Sequence, residues 1–335
     1  MRDKLGPGRF GEPVDAGFVI PFEAKTIQSA PTDSVAHAAV EAEAAALPEC
    51  LTFPAGAFKQ IEYWYVPTER AVWCMTHQTG IPAFTRLLMD ELTTLHARIA
   101  KFADPANEAT APRPLFYVGG SVNKGVFNVG GDLSFFVDCI RKQDAVALRE
   151  YANACIRLVH EMDYSLGGRV FTICMLEGDA LGGGFEAAIS FNHLIAERGV
   201  KLGLPESLFN AFPGMGAYSH LSRRIGHREA REMILSGKIF DAEDLYERGV
   251  VDELVEPGHA REAARAFLAA NEKKQPLLLS MEKVRRRVNP VTLDELLDVT
   301  KIWVENSLQL GASDLRRMEL LAAAQLRRAS GRATK

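Results

Sequence analysis

The residues of this sequence whose types and spacing could do chemistry lie in two glycine-rich turns and at two glutamates. The first glycine turn, residues 127–133, reads Phe-Asn-Val-Gly-Gly-Asp-Leu, and the second, residues 181–187, reads Leu-Gly-Gly-Gly-Phe-Glu-Ala. Each turn follows a predicted strand and precedes a predicted helix, where free backbone N–H groups and the helix dipole converge on an anion. One N–H group from each turn could bind the same carbonyl oxygen, as required when a thioester carbonyl becomes an enolate or a tetrahedral oxyanion.

The glycine turns also have other interpretations. Gly182, Gly184 and Ala187 match the dinucleotide fingerprint Gly-x-Gly-x-x-Ala. That fingerprint requires a full-length helix and a second strand that ends in an acidic residue about 20 residues further on. Here the predicted helix is short and the next strand ends early, at Glu197, so a nucleotide site is disfavoured. A purely structural tight turn stays an alternative, with the aspartate of the first glycine turn as a helix N-cap.

The two glutamates are Glu186, which comes two residues after the last glycine of the second turn, and Glu206, which follows Gly203-Leu204-Pro205. Glu186 is predicted in the first turn of a helix, and Glu206 where a strand passes into a loop. By spacing alone, either could be a solvated surface residue. Burial is favoured by apolar neighbours, namely Leu202, Leu204, Leu208, Phe209 and Phe212. Two carboxylates in one apolar site can take different pKa values, so that one acts as an acid and the other as a base.

The elements that must position these residues alternate between strand and helix. Aromatic, β-branched and periodic apolar residues predict strands at 61–66, 71–76, 115–118, 170–177, 194–197 and 250–255, and helices at 83–102, 144–162 and 185–191. From residue 214 to the end nearly all the rest is predicted as helix. This order indicates an α/β core followed by a helical C-terminal region. Residues 1–55 are predicted as a flexible arm with one short helix, and a wholly disordered tail is an equal alternative.

Composition excludes several classes of function. The 335 residues carry a net charge of −4, so no basic excess indicates nucleic acid binding. No apolar run approaches the ~20 residues needed to cross a bilayer. The five cysteines are scattered without a Cys-x-x-Cys pair, which argues against a disulfide scaffold or a zinc site and fits a reducing cytoplasm. The N-terminus lacks the layout of a signal peptide. We therefore expect a cytoplasmic protein without a metal or another cofactor.

Four motifs, taken together, resemble those of the enoyl-CoA hydratase/isomerase (crotonase) superfamily in order and spacing, and they lie at 127–133, 181–186, 203–206 and 212–216. More narrowly, the chain is similar to the diffusible-signal-factor (DSF) synthases of bacterial quorum sensing. That similarity rests on Asn-Val-Gly-Gly-Asp-Leu, Ala-Leu-Gly-Gly-Gly-Phe-Glu-Ala-Ala, Gly-Leu-Pro-Glu-Ser-Leu-Phe, Phe-Pro-Gly-Met-Gly-Ala-Tyr-Ser and the late Ile-Trp-Val at 302–304. It covers residues 60–328, and the combination is far more specific than any one motif.

The resemblance implies a fold and a set of functional residues. The fold is an α/β crotonase (ClpP-like) spiral of β-β-α units over residues 56–257. A helical region at 258–335 follows, which in this superfamily usually builds a homotrimer or a dimer of trimers. The backbone N–H of Val129, or of its neighbour Gly130, would form an oxyanion hole with that of Gly183. Glu186 and Glu206 match the two catalytic glutamates of hydratases.

The resemblance also implies a reaction. Such synthases dehydrate a 3-hydroxyacyl thioester on acyl carrier protein to a 2-enoyl thioester, and then hydrolyse the thioester to a free cis-2-unsaturated fatty acid. Our hypothesis places Glu206 at the α proton and Glu186 at the hydroxyl or water, and the reverse assignment is an alternative. No Gly-x-Ser-x-Gly motif is present, which argues against a serine acyl-enzyme. Common crotonases carry an Arg-Pro…Asn-Ala stretch that helps to hold coenzyme A. Residues 76–83 lack it, which favours the phosphopantetheine of a carrier protein.

Two other functions stay open from the sequence. One is an enoyl-CoA hydratase of fatty-acid breakdown, which would prefer coenzyme A thioesters. The other is a non-catalytic protein that binds acyl thioesters or regulates a partner, although the retention of two carboxylates that are costly to bury argues against it. The resemblance also raises a contact with a sensor kinase.

The acyl pocket is expected around Trp303, Met215, Phe209 and Leu321, with plain core packing as the alternative for each. Trp303 is placed there by the resemblance. The end of the chain from Gln325 onward is predicted as a solvated tail, and a docking patch for an acidic carrier protein is the alternative.

Overall fold

A computed structural model describes residues 47–78, 80–107, 111–123 and 125–330. In these residues the strands of the core lie in two sheets. The prediction of a flexible arm falls mostly on residues 1–46, which lie outside the described residues. The predicted boundaries after residues 55 and 257 stay predictions.

The larger sheet has six strands in the order β1-β2-β3-β5-β7-β10. Its members are β1 (Ile61–Val66), β2 (Ala71–Thr76), β3 (Phe116–Ser121), β5 (Phe171–Leu176), β7 (His193–Glu197) and β10 (Glu253–Val255). Only β1 and β2 are antiparallel, and every other neighbouring pair is parallel. Every residue of β3 and β5 is buried, as expected when both faces of a parallel sheet are covered.

The smaller sheet has four short strands, β4 (Gly125–Asn128), β6 (Gly178–Leu181), β8 (Lys201–Gly203) and β9 (Ile239–Asp241), paired in that order. Each of β3, β5 and β7 is followed along the chain by a strand of this second sheet. The strands β4 and β6 then each lead into a helix, and β8 leads into a 3-10 turn, Pro205–Phe209. This repeated β-β-α unit is the predicted crotonase spiral, and the α/β fold class is confirmed.

Within the residues that the structure describes, seven helices accompany the strands up to residue 236. They are α1 (Arg86–Phe102), α2 (Leu133–Lys142), α3 (Ala145–Asp163), the kinked turn α4 (Ser165–Gly168), α5 (Gly183–Ala188), α6 (Ala217–Ile225) and α7 (His227–Ser236). Side-chain caps fix three of the starts. Thr85, Asp132 and Asp144 accept hydrogen bonds from backbone N–H groups in the first turns of α1, α2 and α3. Asp132 is therefore the N-cap that ends the first glycine turn.

The C-terminal helices close over the core. They are α8 (Ala242–Glu247), α9 (Ala260–Asn271), α10 (Gln275–Val288), α11 (Leu293–Leu308) and α12 (Ala312–Ser330). Helix α11 packs against α3, and α12 packs against α2 and the 3-10 turn. Trp303 of α11 meets Phe136 of α2 with ring centroids 5.1 Å apart. In the part of the chain that the structure describes, no helix combines the length and the apolar character needed to span a bilayer.

Three differences from the predicted elements have physical causes. The strand predicted at 170–177 ends at Leu176, and a second strand begins at Gly178. A Cβ at Gly178 would lie 2.1 Å from the backbone N of Val126, so glycine permits the close approach of β6 to β4. The helix predicted from 185 begins at Gly183, because Gly182 turns the chain with a φ of 53°. Strand β9 was predicted as helix, and its three residues are too few to show a period.

Candidate active site

A cavity of about 190 Å³ lies between the two glycine turns, the 3-10 turn and the C-terminal helices α11 and α12. Both predicted glutamates line it. All four predicted pocket residues, Trp303, Met215, Phe209 and Leu321, also line it. The rest of the wall is mainly apolar and includes Leu133, Phe136, Ile140 and Met318. Residues that are far apart in the sequence therefore surround one mostly apolar space that contains two carboxyl groups.

Glu186 is held rigidly at the floor of this cavity. Its side chain is 1% exposed, and its Oε1 accepts hydrogen bonds from the backbone N–H of Met215 at 2.8 Å and of Ala217 at 2.9 Å. Gly216, between those two residues, has a φ of 104°, which turns the chain so that both amides reach one oxygen. The motif Phe-Pro-Gly-Met-Gly and the alanine that follows it thus hold the carboxyl group of Glu186 through backbone N–H groups.

Glu206 faces the second glycine turn from the 3-10 turn. A Cβ at Gly182 would lie 2.6 Å from Glu206 Oε1, so the carboxyl group occupies the space that glycine leaves open. The Oε2 atom is buried and has no hydrogen-bond partner among the described residues. A buried carboxyl oxygen without a partner is ready to exchange a proton with a ligand.

Burial makes both carboxyl groups weaker acids than usual. Loss of solvent is the main cause that raises the pKa of Glu186 to about 8, and the neighbouring charge of Glu206 adds to it, against the two N–H donors. Burial raises the pKa of Glu206 to about 7. Because the two groups interact, these values belong to the pair. Near neutral pH the pair holds about one proton, so one acid and one base are present together.

The two amides that border this space are not the predicted pair. The N–H of Val129 donates to Pro82 O at 2.8 Å, and the N–H of Gly130 donates to Asn128 Oδ1 at 2.7 Å. The prediction that either would donate to a substrate oxygen is therefore wrong in this structure. Gly130 has a φ of 97°, and a Cβ there would lie 2.9 Å from Gly183 N, so the two glycine turns approach each other closely at this point.

The available amides are those of Gly131 and Gly183, which have no hydrogen-bond partner among the described residues. A Cβ at Gly183 would lie 3.6 Å from Gly131 N and 2.6 Å from Met215 Sδ. Gly183 is the first residue of α5, and its N–H is one of those that a helix leaves without an internal partner. The two amides therefore lie close together and are the candidates for an oxyanion hole, and Gly183 is the one that the resemblance named.

The glycine of the second turn that packs most tightly is Gly184. A Cβ there would lie 2.2 Å from the backbone O of Asn128, and a backbone atom cannot move aside as a flexible side chain can. We expect Gly184→Ala to lower the free energy of unfolding by about 3 kcal/mol, because it separates the two glycine turns. Gly80→Ala is the matched control, since a Cβ at Gly80 meets nothing within 4 Å. Urea unfolding of both variants checks this, and equal midpoints would contradict it.

Gln325 is a site residue that the sequence analysis missed. Helix α12 runs to Ser330, so the predicted solvated tail is wrong at this position. The Gln325 side chain is 9% exposed, lines the cavity, and donates from Nε2 to Val129 O at 3.0 Å. Its spacing from Met318 and Leu321 places the three side chains on one face of the helix. That spacing is the sequence signal from which Gln325 could have been identified as a cavity residue.

Comparisons with known proteins agree with this geometry. The family model described as enoyl-CoA hydratase/isomerase matches residues 120–310, more than half of the chain. The peroxisomal fatty acid beta-oxidation multifunctional protein of Arabidopsis thaliana is 30% identical over 184 residues, which are 55% of this chain and 24% of that protein. The chain thus spans about a quarter of the length of this curated relative.

Two solved structures share the fold at low identity. Enoyl-CoA hydratase from Bacillus halodurans superposes with a TM-score of 0.66 at 19% identity, covering 78% of this chain and all (100%) of that chain. DspI from Pseudomonas aeruginosa superposes with a TM-score of 0.55 at 22% identity, covering 71% of this chain and 91% of that chain. The fold, the two glycine turns and the matched family model lead to one conclusion: this chain belongs to the enoyl-CoA hydratase/isomerase family.

Proposed function

We propose that this protein dehydrates a 3-hydroxyacyl thioester to a 2-enoyl thioester and then hydrolyses the thioester, releasing a free cis-2-unsaturated fatty acid that serves as a quorum-sensing signal. The observation that carries the proposal is the carboxyl pair in an apolar cavity, beside two amides that have no partner among the described residues. The Glu186–Glu206 pair supplies an acid and a base, and the amides of Gly131 and Gly183 supply an oxyanion hole.

Dehydration follows from this arrangement. The thioester carbonyl oxygen accepts hydrogen bonds from the N–H groups of Gly131 and Gly183, which makes the α proton more acidic. The carboxylate of Glu206, whose Oε2 has no partner among the described residues, takes that proton. The hydroxyl at C3 leaves with a proton from Glu186 as water, and the C2–C3 double bond forms. The reverse assignment of the two glutamates balances equally.

Hydrolysis reuses the same groups. A water molecule that gives a proton to one glutamate attacks the thioester carbonyl, and the tetrahedral oxyanion is stabilised by the same two amides. The C–S bond then breaks, and the sulfur leaves as a thiol with the proton that the glutamate took from the water. This second half of the reaction, like the signal role, rests on the motif resemblance to DSF synthases. So does the proposed contact with a sensor kinase.

An acyl carrier protein is the proposed donor of the acyl chain, because residues 76–83 lack the stretch that helps common crotonases to hold coenzyme A. The second candidate function is an ordinary enoyl-CoA hydratase, which the fold shared with the Bacillus halodurans hydratase favours. A non-catalytic binder is disfavoured, since the raised pKa of both glutamates reflects a burial cost that binding alone does not require.

Product analysis separates these candidates. Purified protein is given 3-hydroxyacyl chains on acyl carrier protein and, in parallel, on coenzyme A, and products are followed by mass spectrometry. Free 2-unsaturated acid formed faster from the carrier protein supports the proposal. Reversible hydration of the coenzyme A ester without release of acid supports the hydratase, and binding without turnover supports the binder.

A homotrimer or a dimer of trimers is the proposed assembly. Helix α10 exposes an apolar stripe at Leu277, Met281, Val284 and Val288, which are 60%, 56%, 51% and 78% exposed. The spacing of four, three and four residues places all of them on one face of the helix. A continuous exposed apolar stripe is typical of a protein interface.

We expect the double variant Met281→Glu, Val284→Glu to dissociate the assembly by at least one step, because two charges would be buried without partners. Light scattering coupled to size exclusion measures the mass. Val146→Glu is the control, since Val146 is 63% exposed and lies on another helix. A double variant with the mass of the wild type would rule out this face as an interface.

A further inference from the structure

The Oε1 atom of Gln325 is a buried hydrogen-bond acceptor without a partner among the described residues. The orientation of the Gln325 amide group is fixed by its hydrogen bond to Val129. Only the Nε2 end of the amide can donate to the carbonyl of Val129, so Oε1 must be the other end. That end belongs to a side chain that lines the cavity of the two glutamates.

A buried amide oxygen without a partner costs about 1–3 kcal/mol, so a ligand that supplies a donor regains that free energy. The Tyr151 hydroxyl, which also lines the cavity, is not a comparable acceptor. It already donates to Phe84 O and accepts from the N–H of Asp132 at 3.2 Å. Ser307 of α11 is a second hydroxyl on the cavity wall.

The chemistry of dehydration calls for an acceptor of this kind. A hydroxyl that receives a proton from a carboxylic acid uses an oxygen lone pair, and its own hydrogen still needs an acceptor in an apolar site. A carbonyl oxygen can supply it without competing for the proton that is transferred. The Nε2 end of Gln325 donates to Val129 O, two residues before the Gly131 amide, so the side chain is anchored at the first glycine turn.

We propose that Gln325 Oε1 accepts a hydrogen bond from the 3-hydroxyl of the substrate and thereby selects 3-hydroxyacyl over saturated acyl thioesters. The inference rests on the proposed function, since it assumes a 3-hydroxyacyl ligand. It assigns to α12 a role in substrate specificity, with Gln325 turning the lone pair of the leaving hydroxyl toward the acidic glutamate.

The test is a binding experiment with stable ligands. Acyl pantetheine analogues in which an amide replaces the thioester are prepared with a 3-hydroxyl, a 3-fluoro or an unsubstituted chain of one length, as single enantiomers where needed. Fluorine can accept but not donate, so the hydroxyl-to-fluoro ratio of dissociation constants isolates the donor. The ratio is measured by calorimetry for wild type, Gln325→Met and Ser307→Ala.

Wild type should favour the hydroxyl, and Gln325→Met should lose about fivefold to tenfold of that preference while Ser307→Ala keeps it. An unchanged ratio in Gln325→Met, or a loss confined to Ser307→Ala, overturns the inference. A wild type that favours the fluoro analogue overturns it without any variant. A wild type that binds none of the three analogues would instead contradict the proposed function itself.

Discussion

Glu186→Gln and Glu206→Gln are each expected to lower kcat for dehydration by about 10²- to 10⁴-fold, because each removes one proton-transfer group. Glutamine keeps the size of the side chain, and its Oε1 can still accept from the amides of Met215 and Ala217 at position 186. The loss should therefore appear in turnover and not in folding. Single-turnover assays on the carrier-protein substrate measure it.

The kcat of the double variant should be only slightly lower than that of the less active single variant, because the effects of groups that act as a unit are not additive. Glu150→Gln, at an exposed position of α3, is the control and should retain wild-type turnover. Either glutamine variant retaining a tenth or more of wild-type activity would show that its glutamate is not a proton-transfer group in the reaction.

Exchange of the α proton with solvent deuterium assigns the two roles. If Glu206 is the base, Glu206→Gln loses the exchange, whereas Glu186→Gln keeps it, because removal of the α proton does not require departure of the hydroxyl. The opposite pattern would reverse the assignment. This readout is needed because the pKa values of the two carboxyl groups are raised to a similar level and so do not show which group is the acid and which is the base.

Most of the larger sheet was predictable because five of its six strands have five or six residues and are mainly apolar, such as β5. The smaller sheet was not, because β6, β8 and β9 have three or four residues each, too few to show a period. What fixes them is contact between distant segments, as at Gly178, where only glycine allows the backbone of β6 to approach β4.

The carboxyl pair could be located from motif order, whereas the oxyanion amides could not be fully assigned. Gly183 was named through the motif resemblance, and the structure makes it the first residue of α5, whose N–H lacks an internal partner. At the first glycine turn the choice among successive amides depends on the φ of Gly130 and on Asn128 Oδ1, which accepts the Gly130 N–H. A sequence lists the residues of such a turn but not the direction of each amide.

Glu206→Gln is also expected to stabilise the protein at high pH. The folded pKa of Glu206, about 7, lies above the ordinary value of 4.5, so the folded state holds its proton more tightly than the unfolded state. Stability from this group is fully present below the unfolded pKa and is lost as pH rises through the folded pKa. The loss amounts to about 3 kcal/mol. Glutamine does not titrate, so the variant avoids this loss, and it also removes the charge that raises the pKa of Glu186.

Urea unfolding from pH 4 to pH 9 measures the difference. Wild type and Glu206→Gln should nearly coincide at pH 4, and the variant should be more stable by about 3 kcal/mol at pH 9. Glu150→Gln should follow wild type throughout. A difference that does not change with pH would show that the Glu206 pKa is not raised by folding. The pH dependence of stability and the loss of activity have the same physical origin, because a carboxylate that burial destabilises is a stronger base at neutral pH than an exposed one. The variant that gains most stability at high pH should therefore be among those that lose most turnover.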